Sequence, residues 1–346
     1  MVEWKKLGEV ISVHTGQQLN RNDMTEIGTY PVMNGGRVAS GYTDKNNEFA
    51  NSITISQGGE SAGFVNWIDK DFWAGAHCYV VENTAEQNIR YIFHFFKACE
   101  YKIMCSKQGA GIPGLSRKNL YSIIIPIPPM AEQERIVGIL DTFTASIDNL
   151  KAQIEQRRKQ YEHYRDSLLD LEGKEGVEMK IEEFCLLKAG KSVSADEISE
   201  DYNENYYPCI GGNGIRGYVP FYSHEGEYPI IGRQGALCGC VNWVTGKFYA
   251  TEHAVVASGN NDINQRFLFY LFENADLNQY KTQGAQPGLS VAKLNEIKFR
   301  IPSLEEQERI VSILDNFEES ITNLEAQMEQ RQKQYEYYRE RLLTFE

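Results

Sequence analysis

A segment of 46 residues is written twice in this chain, and no other feature constrains the fold as much. Residues 127–172 begin Ile127-Pro128-Pro129-Met130-Ala131-Glu132-Gln133-Glu134-Arg135-Ile136-Val137. Residues 301–346 begin Ile301-Pro302-Ser303-Leu304-Glu305-Glu306-Gln307-Glu308-Arg309-Ile310-Val311. The copies run in step at an offset of 174, with about two-thirds of positions identical, which chance does not produce. Fainter matches precede them. Tyr30-Pro31 with Asn34-Gly35-Gly36-Arg37 and Gly41-Tyr42 parallels Tyr207-Pro208 with Gly211-Gly212-Asn213-Gly214, Arg216 and Gly217-Tyr218. Val65-Asn66-Trp67 parallels Val241-Asn242-Trp243, with His77 and His253 equally far downstream. The unit is therefore a globular domain followed by a helix, used twice: domains 1–130 and 173–303, helical segments 131–172 and 304–346.

Each helical copy carries a seam. Apolar residues recur at Ile136, Leu140, Phe143, Ile147, Leu150, Ile154, Tyr161, Tyr164, Leu168 and Leu171. The second copy repeats the steps at Ile310, Leu314, Phe317, Ile321, Leu324, Met328, Tyr335, Tyr338, Leu342 and Phe345. Alternating steps of four and three are those of a coiled coil. Pro128-Pro129 allows a helix to start at once, and Glu132 and Glu134 suit its positive end. The seam breaks at the same place in both copies, at Arg157 and Arg331. Two readings stay open there: each Arg snorkels to the edge, or a polar layer fixes register or faces a partner subunit. About forty helical residues span about 60 Å. Antiparallel pairing would place the globular domains at opposite ends, related by a pseudo-twofold axis.

Both globular domains read as α+β, with a twisted sheet or small barrel at the centre. Ser52–Ser56, Cys78–Val81 and Tyr121–Ile125 read as strands between Gly-rich turns; Asn88–Cys105 and Asn264–Tyr280 read as helical. The fold class is thus two β-rich heads separated by two long helices in an antiparallel coiled coil. Residue types suited to base edges fall in the Gly-rich turns. They are Asn34, Arg37, Gln57, Lys107 and Gln108 in head one, and Asn213, Arg216, Arg233, Gln234, Lys281 and Gln283 in head two. Arg pairs with guanine and Asn or Gln with adenine in the major groove. Taken singly, such residues more often only solvate a loop; similar placement in both copies is what raises the group. His77 and His253 read as structural.

The net charge of -13 argues against DNA binding, since Lys and Arg contacts to phosphate supply most of the affinity. Its distribution answers the objection. Residues 1–130 are neutral overall, 131–172 carry -3, 173–303 carry -4 and 304–346 carry -6, so much of the excess acid lies on the helices. That fits a weak DNA binder acting inside a complex with more basic partners. No stretch reaches the roughly 18 apolar residues a membrane helix needs, and no signal peptide is visible. Seven scattered cysteines point to a reducing cytoplasm, and no metal site is expected from them.

Catalytic motifs fail one by one. The base-holding loop of an amino-methyltransferase needs Asn- or Asp-Pro-Pro-aromatic, and Pro128-Pro129 lies between Ile127 and Met130. Gly212-Asn213-Gly214-Ile215-Arg216-Gly217 satisfies G-x-G-x-x-G but lacks the strand and helix around it, so it reads as a turn. Gly190-Lys191-Ser192 resembles the end of a P-loop, but the leading Gly would fall on Cys185. No catalytic residue and no cofactor-binding residue is assigned.

Over essentially its whole length the chain resembles the specificity subunit of type I restriction–modification systems. Ile127-Pro128-Pro129 with Glu132-Gln133 and Ile136, repeated as Ile301-Pro302 with Glu306-Gln307 and Ile310, carries the resemblance. So does Trp4-Lys5-Lys6-Leu7-Gly8, with Met179-Lys180-Ile181 as a degraded copy. Ser303 in place of a second Pro is a small departure. The resemblance implies a DNA-recognition subunit, not an enzyme alone, whose two domains each read half of a bipartite, asymmetric site in double-stranded DNA. It implies helices that set the spacer and dock two methyltransferase subunits bringing S-adenosylmethionine. A restriction–translocase subunit would bring ATP and Mg²⁺, and no membrane is involved. A recognition subunit of another methylation-based defence complex would look alike. The rival from another class is a structural coiled-coil adaptor whose heads bind protein.

Overall fold

The computed structural model describes residues 1–106, 114–235, 237–282 and 288–345. The chain forms two compact units, one of residues 1–151 with 326–346 and the other of residues 152–325. Each unit therefore holds one head, the first half of the helix that follows it and the second half of the other helix.

In unit 1, strand Glu3–Lys6 pairs antiparallel with Ile124–Ile127, clamping the start of the head to the entrance of the long helix. A four-stranded antiparallel sheet follows the order Ile11–Thr15, Cys78–Asn83, Ser52–Ser56, Val65–Ile68. Three short strands, Tyr42–Thr43, Tyr30–Met33 and Trp73–Ala74, make a second sheet. Helix Ile89–Cys105 is capped by Asn88, whose side chain accepts from the Arg90 and Tyr91 amides. Its Tyr91, Ile92, Phe95 and Phe96 are buried in one core with Ile53, Ile55, Val65, Ile136 and Leu140. The expected strand over Tyr121–Ile125 is corrected. Ser116 caps a short helix, Arg117–Tyr121, and the strand begins only at Ile124.

Unit 2 repeats this plan. Strand Val177–Lys180 pairs with Lys298–Ile301, and Ile181 is as fully buried as Leu7. The degraded opening thus keeps its structural role. Here one six-stranded sheet runs Cys185–Ala189, Ala254–Gly259, His224–Gly232, Val241–Ala250, Tyr207–Gly211, Gly214–Val219. Strand Val241–Ala250 covers the span that unit 1 divides between Val65–Ile68 and Trp73–Ala74. The division follows from Asp69-Lys70-Asp71, poor strand formers, with Asp71 accepting from the Ala50 amide instead. The helix expected over Asn264–Tyr280 is two pieces, Gln265–Asn274 and a 3-10 turn Leu277–Tyr280, parted by Asp276 at φ 44°.

The long helices are Met130–Leu169 and Leu304–Leu343. Within each unit their segments pair antiparallel. In unit 1 Phe143 stacks on Tyr338 (5.3 Å between ring centres); in unit 2 Tyr164 meets Phe317 (5.2 Å) and Arg158 pairs with Glu325. Ile136, Leu140, Ile310 and Leu314 are fully buried and belong to the cores of the heads. Ile147 is buried, while Phe143, Leu150, Phe317, Ile321 and Leu324 are half-buried. Toward the helix ends Leu169 and Leu343 are buried rather than Leu168 and Leu342. The last turn packs on a head, and a straight helix drifts off a strict 3.5-residue repeat. The two seam arginines make the same contact: Arg157 lies 5.7 Å over the Phe317 ring and Arg331 5.7 Å over Phe143. Each is half-buried against an aromatic seam residue of the facing helix, a contact worth about 0.5–1 kcal/mol.

Head and helix are joined by the Glu-Gln motif. Gln133 is 1% exposed; its carbonyl oxygen accepts from the Asn88 amide (3.0 Å), and its amide donates to the Pro128 carbonyl (2.9 Å) and the Gln87 side chain (2.7 Å). Gln307 does the same with the Asn264 amide (2.8 Å) and the Pro302 and Asp262 carbonyls (2.9 and 3.0 Å). About two helical turns later, Asp141 accepts from Arg90 (2.8 Å) and from Nε2 of the buried His94 (2.7 Å). In unit 2 Asp315 takes Arg266 (2.8 Å) and the hydroxyl of Tyr270 (2.6 Å).

Burial pushes the His94 imidazole below its usual range; Asp141 pulls the other way, and Arg90 and Arg339 reinforce the fall. A histidine that is harder to protonate folded than unfolded leaves stability intact above about pH 6.5 and erodes it as the pH falls below. The melting temperature is expected to drop between pH 7 and pH 5, and His94→Gln, which keeps a donor for Asp141, should remove that component. An unchanged pH profile in the variant would refute it.

Candidate nucleic-acid interface

In each head the Gly-rich turns converge on one backbone carbonyl. In unit 1 the His77 carbonyl accepts from the Gln57 amide (2.9 Å), and the Gln57 carbonyl accepts from Leu115 (2.8 Å). In unit 2 the His253 carbonyl accepts from the Arg233 amide (2.8 Å), and the Arg233 carbonyl accepts from Leu289 (2.9 Å). Isolated bridges Gly58–Gly114 and Gln234–Gly288 extend both arrangements. The third turn closes on the same carbonyl. A Cβ on Gly35, whose φ is +86°, would lie 2.6 Å from the His77 oxygen, and one on Gly212 would lie 3.2 Å from the His253 and Gln234 oxygens. At Gly35 glycine is needed both for close approach and for conformation, and at Gly212 a side chain would sit tightly against both oxygens.

The frame is shared, but the side chains on it differ. In unit 1 Arg37 is exposed, with its guanidinium 5.3 Å over the Phe64 ring. Gln57 is half-buried. Asn34 is half-buried with its amide oxygen enclosed and unpartnered, and it fills the space a side chain at Gly75 would need. Lys107 and Gln108 lie outside the described residues. In unit 2 Asn213 stands exposed at the turn between strands Tyr207–Gly211 and Gly214–Val219, so G-x-G-x-x-G is a hairpin. Arg216 is exposed but sits on the second strand of that hairpin, not in a loop. Gln234 is exposed, whereas Arg233 is half-buried and donates to the Leu289 carbonyl (3.2 Å). Lys281 is exposed and lies near Cys238, whose thiol burial pushes up and Lys281 pulls back. Gln283 lies outside the described residues.

A fourth turn was not legible as part of this group. Gln17 donates its amide to Ala74, next to Gly75, which donates to Met33; Lys191 and Thr251 repeat this with Ala250 and Ile210. Gln17, Gln18 and Lys191 are exposed on it. The available signal was a Gly after each leading strand, Gly16 and Gly190, whose Cβ positions would meet the Ala74 and Ala250 oxygens at 2.1 Å. Among the described residues no group of His, Cys, Asp or Glu could hold a metal ion, and no helix is long and apolar enough to cross a membrane.

The family model for the type I restriction modification DNA specificity domain matches residues 1–157 and again 174–332. The chain is 46% identical over 205 residues to the EcoprrI specificity subunit of Escherichia coli, a match covering 57% of this chain and 51% of that protein. It thus spans about half the length of that relative. It is 30% identical over 249 residues to the putative type I specificity subunit S.MpnORF365P of Mycoplasma pneumoniae, covering 68% of this chain and 91% of the relative. Among solved structures, the type I restriction–modification S subunit of M. genitalium superposes with TM-score 0.76 at 21% identity, covering 100% of this chain and 97% of that one. That likeness concerns the fold.

Proposed function

This chain belongs to the type I restriction modification DNA specificity family, and we propose that its two heads each read one half of a bipartite, asymmetric DNA site. The observation that carries this is the pair of turn clusters built on the His77 and His253 carbonyls. Beside this frame stand Arg37 and Gln57 in one head and Asn213, Gln234 and Lys281 in the other, with Arg216 on the adjoining hairpin strand. A frame held constant with different polar tips suits two different half-sites, because discrimination between bases rests on side-chain donors and acceptors at base edges.

The long helices set the spacer between halves and dock two methyltransferase subunits, while a restriction–translocase subunit joins the same complex. Catalysis resides in those partners, which bring S-adenosylmethionine, ATP and Mg²⁺; this chain supplies the address.

The test is the methylated-base map of a strain with and without this gene. Loss of methylation at one two-part motif is expected, and an unchanged map refutes the reading. Arg216→Ala is expected to relax one half-site only, by about 1–3 kcal/mol for a bidentate base contact. Equal weakening on all sequences would make Arg216 a phosphate contact.

A further inference from the structure

The turn Thr251-Glu252-His253 is the one on which the other turns of the unit 2 cluster hang. The Gly190 and Lys191 amides donate to the Ala254 and Ala250 carbonyls (3.0 and 3.1 Å), and the Arg233 amide donates to the His253 carbonyl (2.8 Å). The Thr251 amide in turn donates to the Ile210 carbonyl (2.9 Å). Glu252 stands at the middle of this turn, and its side chain is 39% exposed, so it can be reached from outside. The carboxylate is not committed to a partner among the described residues. Its Oε2 has no hydrogen-bond partner, and Oε1 lies 3.3 Å from Nε2 of His253, longer than a charge-assisted hydrogen bond of about 2.7–2.9 Å. Oε2 is enclosed, but the terminal torsion of a glutamate is soft, and rotation about it exchanges the two oxygens.

Arg216 lies beside the same turn. A Cβ on Gly211 would be 3.9 Å from the Cβ of Arg216 and 3.9 Å from Oγ1 of Thr251, so the arginine and the turn flank one point of the hairpin. Both charges act on one thiol: burial pushes Cys209 up, Arg216 pulls it back and Glu252 adds to the rise. A donor and an acceptor of full charge therefore stand close together in the cluster. The acceptor is not needed to build the turn. The repeat sets Ala76 where Glu252 stands, and unit 1 forms the same bonds around the His77 carbonyl without a carboxylate.

We propose that Glu252 is a specificity-determining residue of this head, accepting from the N4 amine of a cytosine in the major groove, beside Arg216. A carboxylate brought among DNA phosphates is repelled unless a base gives it a donor. The major groove offers such donors on adenine and cytosine only. Adenine N6 sits beside the acceptor N7, which opposes a carboxylate, whereas cytosine N4 is the amine that Glu and Asp accept from. Guanine and thymine present acceptors there and are rejected. A lysine of a methyltransferase subunit fits less well, because the same subunit would meet Ala76 at the other head. This rests on the reading of the heads as readers of DNA half-sites.

The experiment measures binding of the full chain, in complex with its methyltransferase subunits, to duplexes in which each base pair of both half-sites is varied in turn. Glu252→Ala is expected to lose a preference for cytosine of about tenfold at one position of one half-site and to keep every other preference. Glu252→Gln keeps the shape, and so serves even where the alanine variant fails to fold. It should move the preference at that position toward adenine, since a carboxamide pairs with N6 and N7. Base preferences unchanged in both variants would overturn the inference. So would equal tightening on all sequences, which would make Glu252 a source of repulsion only, or loss of methyltransferase binding with base preferences intact. A wild-type complex with no two-part preference at all would instead overturn the proposed function.

Discussion

Seven residues inserted into each long helix, between Lys151 and Ala152 and between Glu325 and Ala326, should abolish methylation at the natural site. The insertion points fall at the boundary between the two compact units, so each head keeps its own core, its own helix entrance and its own turn cluster. Seven residues preserve the coiled-coil phase because the seam repeats every 3.5 residues. They add about 10.5 Å of helix, the rise of about three base pairs. Any motif methylated instead should keep both half-sites and carry a longer spacer. A four-residue insertion would by contrast turn the seam off its register and should lower the melting temperature as well. Continued methylation at the natural spacer by the seven-residue variant would refute the helices as the ruler.

Gln133→Leu should cost unit 1 about 2–4 kcal/mol, since it strands the Asn88 amide and the Pro128 carbonyl in a site that is 1% exposed. For a unit of this size that corresponds to about 5–10 °C in melting temperature. Leucine has nearly the volume of glutamine, so the loss reports the hydrogen bonds and not a cavity. Gln307→Leu should do the same to unit 2, where the Asn264 amide loses its acceptor. Leucine variants melting like wild type would show the clasp to be incidental.

The repeat and the helices were legible because their signal is dense. Thirty or more matched positions and a seam sustained over ten apolar residues leave few alternatives. The Glu-Gln motif was legible as a signature, but its role was not. Nothing in the order Pro128-Pro129-Met130-Ala131-Glu132-Gln133 tells that Gln133 will meet Asn88, which lies 45 residues earlier. The strands of the heads were partly legible, and the error at Tyr121–Ile125 has a local cause. Ser116 is a helix cap, and an apolar run just after a cap cannot be told from a strand by periodicity alone. The Gly-rich, polar make-up of the turns was legible. Their grouping was not, because it depends on long-range bonds to the His77 and His253 carbonyls, which any residue type could provide.

By itself the sequence determined that one head-and-helix unit occurs twice, that the helices pair along a seam broken only at Arg157 and Arg331, and that the heads are free to differ. These are matters of period and identity, which are local along the chain. Tertiary structure alone decided that each compact unit takes half of each helix, that the seam arginines lie on Phe317 and Phe143, and that Gln133 and Gln307 hold the Asn88 and Asn264 amides. The reason is physical. Which side chains meet across two antiparallel helices and a head is set by packing between residues far apart in sequence, and a repeat records the positions without recording their neighbours.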